Sequence, residues 1–185
     1  MSAIDTANNG FPKAENLRSA YLIETDDALD LMNKNPSDLR VVDAQWFLPG
    51  TGDAVAEHAA CRMTPTTQHI HLPDISDTSN PLPQMLCSVE HWTEKMKKHH
   101  IHRTDDILLY DKNGFFSVCR VALMFRYFGA TRVRIINGGM KKWLLEHKPT
   151  SDEHYEPGQG LVEEGDYNYH VVNENLFVRN IDEVH

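Results

Sequence analysis

The stretch D-I-L-L-Y-D-K-N-G-F-F-S-V-C-R-V-A-L-M-F-R-Y-F-G, residues 106–129, holds a strand, a turn and a helix in that order. Ile107 to Tyr110 is an unbroken apolar run, as expected of a strand covered on both faces. Asp111 to Phe116 is a six-residue turn with Gly114 inside it. From Ser117 the period changes. Val118, Val121, Ala122, Phe125 and Phe128 recur at three and four, and Gly129 is a natural helix stop.

The same alternation runs outward in both directions. Upstream, a helix begins at Thr25, with Asp26 and Asp27 in its first turn, and Asn35-Pro36 ends it. Leu39 to Phe47 reads as a buried strand, Asp53 to Ala60 as a helix, His69 to Leu72 as a short strand, and Ser88 as the cap of a helix carrying Val89, Trp92 and Met96. Downstream, Val133 to Ile136 is a strand, Asn137-Gly138-Gly139 a turn, and Met140 to Glu146 a helix. Gly138-Gly139 lacks the Gly-x-Gly-x-x-Gly spacing of a phosphate loop and reads as a turn requirement. Strand and helix alternate throughout, so the expected fold class is α/β: a parallel sheet with helices on both faces.

Composition bounds what such a fold can do. The 185 residues are 41% hydrophobic and 24% charged, which excludes a disordered chain or a disulfide scaffold. Cys61, Cys87 and Cys119 are too few and too scattered to demand an oxidising compartment, so the expected location is cytoplasmic. The opening Met1 to Asp5 lacks the character of a signal or transit peptide, and no apolar run reaches membrane-spanning length. A net charge of -9 argues against nucleic acid or an anionic membrane as partner. Within it lies a local reversal. Between Asp111 and Lys142 stand Lys112, Arg120, Arg126, Arg132, Arg134, Lys141 and Lys142, with Asp111 the single acid, which predicts a basic face around the central turn.

Residues 1–18 are expected to form a loose arm, 19–147 the domain, 148–165 an exposed linker of Pro, Gly, Ser and acids, and 166–185 the opening of something further. The last expectation rests on a weak repeat. Glu174 to Val184 aligns without gaps on Ser19 to Leu29, with apolar residues matched at three consecutive places.

In a parallel sheet the functional crevice lies beyond the carboxyl ends of the strands, where helix N-termini attract anions. The turn Asp111, Lys112, Asn113, Gly114, Phe115 and Phe116, with Arg120 on the helix that follows, is therefore the candidate anion-binding loop. Cys119 is the one thiol near it. The helix dipole would lower its pKa, yet packing as a small hydrophobe is the commoner role of a free cysteine. A phosphatase loop is excluded, because none of the three cysteines has an arginine six residues on. His69 with His71, and His99, His100 and His102, lack the spacing of a closed zinc site, so no metal is expected, and they read as solvated or helix-capping histidines. Trp46, Trp92 and Trp143 read as core and rim aromatics, and Arg126, Arg132 and Arg134 as a surface that could face a partner domain.

Taken together, L-R-V-V-D-A-Q-W-F-L-P at 39–49, I-L-L-Y-D at 107–111, S-V-C-R-V-A-L-M-F-R-Y-F-G at 117–129 and I-N-G-G-M-K-K-W at 136–143 resemble the first rhodanese domain of two-domain thiosulfate and 3-mercaptopyruvate sulfurtransferases. The resemblance implies a rhodanese-like fold for 19–147, with 166–185 similar to the opening of a second, truncated rhodanese-like domain. It implies transfer of sulfane sulfur through a cysteine persulfide to a thiol or cyanide, without a cofactor. The partner it implies is a small anionic sulfur compound or a second rhodanese domain. In the family the nucleophilic cysteine opens the loop of the second domain, and an acid usually stands at the matching place in the first. That place is Asp111, so this chain is expected to be catalytically silent or weak alone. Cys61 to His69 replaces a family segment of His-Ile-Pro-Gly-Ala type. The mitochondrial matrix is a second location the family allows, and a non-enzymatic module binding an anion or an acidic partner is the alternative function.

Overall fold

A computed structural model describes residues 20–172. The expected arm, most of the expected second-domain opening and the repeat at Glu174 to Val184 lie outside them. Five strands, β1 (Leu22–Ile23), β2 (Leu39–Asp43), β3 (Gln68–His69), β4 (Asp106–Tyr110) and β5 (Arg132–Ile136), form one sheet in the order β1-β5-β4-β2-β3. All four pairings are parallel, with Asp43 beside Tyr110 and Leu109 beside Ile135. The helices are α1 (Thr25–Lys34), α2 (Ala54–Ala60), α3 (Val89–Lys98), α4 (Val118–Tyr127) and α5 (Gly139–Leu145).

The period-two alternation of the strands divides the core. Val42, Ile107, Leu109, Val133 and Ile135 face α3 and α4, where Trp92 packs against Phe125 and Phe128. Val41, Leu108, Tyr110 and Ile136 face the other way, onto Ala28 of α1 and Met140 and Trp143 of α5. Both faces are covered, which is why β4 needs apolar residues at successive positions. Trp92 and Trp143 are fully buried and Trp46 is at the rim. No helix of the described residues is long and apolar enough to cross a membrane.

The element ends differ from expectation in physically specific ways. Strand β2 stops at Asp43, and its ladder with β4 ends one hydrogen bond later, where the Ala44 amide donates to the carbonyl of Tyr110. Only Gln68–His69 pairs as β3, and Leu72–Ile75 is a 3-10 turn started by Pro73. Glu24, not Thr25, is the residue before α1, and the Thr25 hydroxyl donates to Glu146 at the far end of α5. Ser88 does cap α3, accepting the amide of His91 at 3.2 Å.

Segment 148–172 runs back across the domain, exposed along most of its length but tied at intervals. Ser151 and Arg62 exchange backbone hydrogen bonds, Tyr169 is buried against Trp92, and the amide of Val172 donates to the carbonyl of Tyr127. We refer to it as the strap.

Candidate functional site

The chain leaves β2 for β3 on one side of the sheet and leaves β4 for β5 on the other, so it reverses direction beside β4. This is the switch point at which a parallel sheet opens a crevice. Asp111, the first residue after β4, is 1% exposed, and its Oδ2 accepts the amides of Ser117 at 3.0 Å and Val118 at 3.3 Å. Ser117 stands immediately before α4 but does not cap it with its side chain. Instead its hydroxyl donates to the carbonyl of Ala44 at 2.6 Å, and Asp111 caps the helix from six residues upstream. The loop can close this tightly because Gly114 and Phe115 take left-handed conformations, φ 70° and 62°.

The base of the loop rests on the turn after β5. The amide of Met140 donates to the carbonyl of Asp111 at 3.0 Å. A β-carbon at Gly139, whose φ is 55°, would lie 2.4 Å from that carbonyl oxygen, so the requirement for glycine is steric as well as conformational. On the other side the amide of Lys112 donates to Oε1 of Gln45 at 2.6 Å. Buried atoms without a partner among the described residues include Asp111 Oδ1 and Gln45 Nε2.

The cations expected around this turn are engaged elsewhere. The Lys112 ammonium donates to the carbonyl of Glu57 and lies 3.9 Å from its carboxylate. Arg120 donates to the carbonyl of Gln84 at 2.8 Å, and partial burial lowers its pKa. Arg132 pairs with Asp38 at 2.6 Å and Arg134 with Asp106 at 2.8 Å, at the edge of the sheet where the strands begin. Arg126 packs over the ring of Tyr21 and donates to Val133, and Lys142 pairs with Glu24 at 2.9 Å. The basic window of the sequence is thus mostly a set of intramolecular pairs rather than a basic crevice.

What the loop shows to solvent is apolar. Phe115 and Phe116 are 40% and 52% exposed, Phe116 stacks parallel to Trp46 at 5.9 Å, and Asn113 is also exposed. Beside them a cleft of about 440 Å3 is lined by Phe47, Leu48, Thr51 and residues 113–116.

Cys119 is exposed, which overturns its reading as a buried packing residue: it lies off the face of α4 that carries Val118, Val121, Ala122 and Phe125. Its thiol is also not activated. Partial burial, and then the carboxylate of Asp111, push its pKa up, opposing the helix dipole. Burial pushes Cys87 up to about 11, and Cys61 is half-buried.

A second cluster adjoins the loop and was missed in the sequence. Asp43 Oδ2 lies 3.0 Å from Nδ1 of His58, and both residues are buried. The His58 ring stacks on His69 at 5.1 Å and meets the edge of Tyr155 at 4.6 Å. His69 Nε2 lies 3.1 Å from the carbonyl of Gln45, and Gln45 donates its amide to Asp43 Oδ1 at 3.0 Å. Gln68 Oε1 gathers the amide of Gly158 at 2.8 Å, His99 Nδ1 at 3.2 Å and the Tyr155 hydroxyl at 3.3 Å. Desolvation lowers the pKa of His69, and that of His99 to about 4, so these rings are neutral near pH 7. His69 is buried, not solvated as expected, while His99 is half-buried and caps the C-terminal end of α3, in line with the helix-capping reading. The signal was available in V-V-D-A, where Asp43 interrupts a core strand and needs a buried partner. Among the described residues no three His, Cys, Asp or Glu side chains are placed to hold a metal ion.

Chemically, the loop is an amide nest at a helix N-terminus already filled by its own carboxylate. Comparisons with known proteins bear on the fold that carries this loop. Residues 24–146 match the family described as Rhodanese-like domain. The thiosulfate sulfurtransferase of Cricetulus griseus is 35% identical over 121 residues, 64% of this chain and 40% of that protein. The mitochondrial thiosulfate/3-mercaptopyruvate sulfurtransferase 1 of Arabidopsis thaliana is 32% identical over 111 residues, 60% of this chain and 29% of its own length. The chain therefore spans well under half the length of these curated relatives. Among solved structures, the 3-mercaptopyruvate sulfotransferase SseA of Escherichia coli superposes with a TM-score of 0.73 at 24% identity, over 84% of this chain and 57% of that one.

Proposed function

The chain belongs to the rhodanese-like domain family, and from that membership we propose that it serves sulfane sulfur transfer, from thiosulfate or 3-mercaptopyruvate to a thiol or cyanide, as a domain that does not itself carry the sulfur. One observation carries the reading: the carboxylate of Asp111 occupies the two amides of Ser117 and Val118, where a loop cysteine would hold its thiolate or persulfide. A carboxylate can fill that nest, but it has no sulfur to accept or give. The relatives named as sulfurtransferases are more than twice as long as the stretch they share with this chain, which leaves room for a catalytic cysteine on a second rhodanese domain. The exposed Phe115 and Phe116, beside a loop with no free cation, suit contact with such a domain better than capture of a free anion. The tied cations also weigh against an anion-binding module, as does the Asp111 carboxylate on the amides of Ser117 and Val118. Cytoplasm and mitochondrial matrix both suit the reading.

The test is direct. Incubated with thiosulfate and cyanide, the protein is expected to form no thiocyanate above the uncatalysed rate, and no cysteine should gain the mass of a sulfur atom. Turnover abolished by Cys119→Ser would overturn the silent reading.

A further inference from the structure

Gln45 sits where three parts of the molecule meet. It is fully buried at the end of β2, and every polar group it carries except Nε2 has a partner. Its amide donates to Asp43 Oδ1 at 3.0 Å, its carbonyl lies 3.1 Å from His69 Nε2, and its Oε1 accepts the amide of Lys112 at 2.6 Å. The first two contacts belong to the histidine cluster, and the third is the first amide of the Asp111–Phe116 loop. On its far side the cluster is closed by the strap: the His69 amide donates to the Tyr155 hydroxyl at 3.2 Å, and the Tyr155 ring stands edge-on to His58. An unbroken run of hydrogen bonds thus joins Tyr155, His69, Gln45 and Lys112.

We propose that Gln45 is the positioning residue of the Asp111–Phe116 loop, and that through it the loop answers to the docking of the strap. The proposal rests on the reading that this loop is the functional site. The loop has two anchors on the sheet side. The turn after β5 fixes it through the Asp111 carbonyl, and Gln45 fixes it through the Lys112 amide, one residue on. Between that amide and Ser117 the chain makes a left-handed turn at Gly114 and Phe115 and carries two exposed aromatic rings. The Lys112 anchor therefore decides where the exposed part of the loop begins. Gln45 in turn cannot move by itself: its main chain is tied to Asp43 and His69, and Tyr155 covers the His58 ring that pairs with Asp43 and accepts the amide of His69. Lifting the strap carries Tyr155 away and frees His69, and the freed His69 loosens the carbonyl end of Gln45.

Amide hydrogen exchange followed by NMR tests this without any sulfur chemistry. Gln45→Met keeps the volume and removes the acceptor. It is expected to speed exchange of the Lys112 amide roughly tenfold, the scale of one hydrogen bond lost, and to speed Ser117 and Val118 less, with Leu108 and Leu109 of β4 unchanged. Gln45→Glu keeps an acceptor oxygen and is expected to restore protection at Lys112. Tyr155→Phe keeps the ring against His58, and it should speed His69 and, more weakly, Lys112. Unchanged Lys112 exchange in Gln45→Met overturns the positioning role, as does an equal rise at Lys112 and in β4, which would report global loosening. If neither Gln45 variant folds, Tyr155→Phe decides alone: faster exchange at His69 with Lys112 unmoved overturns the coupling, and faster exchange at both supports it. Thiocyanate formation by the native protein would sink the silent reading while leaving these exchange results intact, so the two failures are distinguishable.

Discussion

The carboxylate of Asp111 accepts the backbone amide of Ser117 at 3.0 Å, across a loop that returns to within one hydrogen bond of its own start. This single contact ties the end of β4 to the beginning of α4 and closes the nest. It also means that the residue at 111 has a structural task whatever its chemistry, because the first amides of α4 have no intrahelical acceptor.

The structural task predicts a stability ranking. Asp111→Ala leaves the buried amides of Ser117 and Val118 without a partner and is expected to cost about 1–3 kcal/mol in urea unfolding, the usual penalty for a lost cap and stranded buried donors. Asp111→Asn keeps an acceptor oxygen and should cost less. Equal costs would show that the cap is not made by this side chain.

The chemical task predicts what happens when sulfur is put into the nest. In Asp111→Cys, with Cys119 replaced by Ser, the new thiol faces two amides at a helix N-terminus, an arrangement that favours thiolate. Thiolate absorbance against pH is expected to show a midpoint below that of native Cys119, whose pKa is pushed up by burial and by Asp111. Thiosulfate should then give its outer sulfur to the thiolate at residue 111, adding the mass of one sulfur atom and releasing sulfite, slowly, since Lys112 and Arg120 are tied to Glu57 and Gln84 and cannot recruit the anion. A midpoint at or above that of Cys119 would mean that the nest does not stabilise charge.

The reasons these positions divide as they do bear on what a sequence shows. Asp111 to Phe116 was legible as a crevice turn because its flanks change period sharply, from an apolar strand to a helix at three and four. Four of the five strands were legible for the same reason, with β2 and β3 overextended because apolar content continues past the last paired residue; β1, only Leu22–Ile23, is too short to show a period and was missed. The fate of the cations was not legible. Lys112, Arg120, Arg132 and Arg134 look like a basic face when counted along the chain, yet three of their partners, Glu57, Gln84 and Asp38, lie 36 to 94 residues away. Gln45 and His58 were missed for a related reason. Their roles depend on which side chains the parallel pairing of β2 with β3 and β4 brings together, and nothing local marks them.

The histidine cluster predicts an acid-sensitive fold. The pKa of His99 is lowered to about 4 by burial, with Lys98 adding to the effect, and that of His69 is lowered by burial, while both titrate near 6.5 once unfolded. The unfolded chain therefore binds more protons in this range. The stability these neutral rings contribute is full above about pH 6.5 and is lost as pH falls toward 4. Asp105 works in the opposite sense, because burial raises its pKa despite its 3.0 Å contact with Arg40. His99→Gln isolates the histidine: unfolding midpoints followed downward from about pH 7 to about pH 4, from above the unfolded pKa to the folded one, should fall less steeply in the variant. Parallel curves would remove His99 from the acid response.

Arg62 predicts how the strap is fastened. Its guanidinium is fully buried, and its partners are the carbonyls of Ala59, Pro65 and Glu153 and the face of Tyr155 at 5.5 Å, with no carboxylate among its hydrogen-bond acceptors. A buried cation satisfied by carbonyl dipoles depends on geometry rather than charge, and the planar fork of arginine reaches three directions that an ammonium cannot. Arg62→Lys should therefore fail to substitute, and both Arg62→Lys and Arg62→Met should release the 148–165 segment while the sheet persists. Limited proteolysis reads this directly. Cleavage between residues 150 and 165, where the native chain is tied at Ser151 and Gly158, is expected to accelerate roughly tenfold or more, as a local opening of about 1.4 kcal/mol would give. Native-like resistance in Arg62→Lys would show that charge alone holds the strap, and the carbonyl geometry would then be incidental.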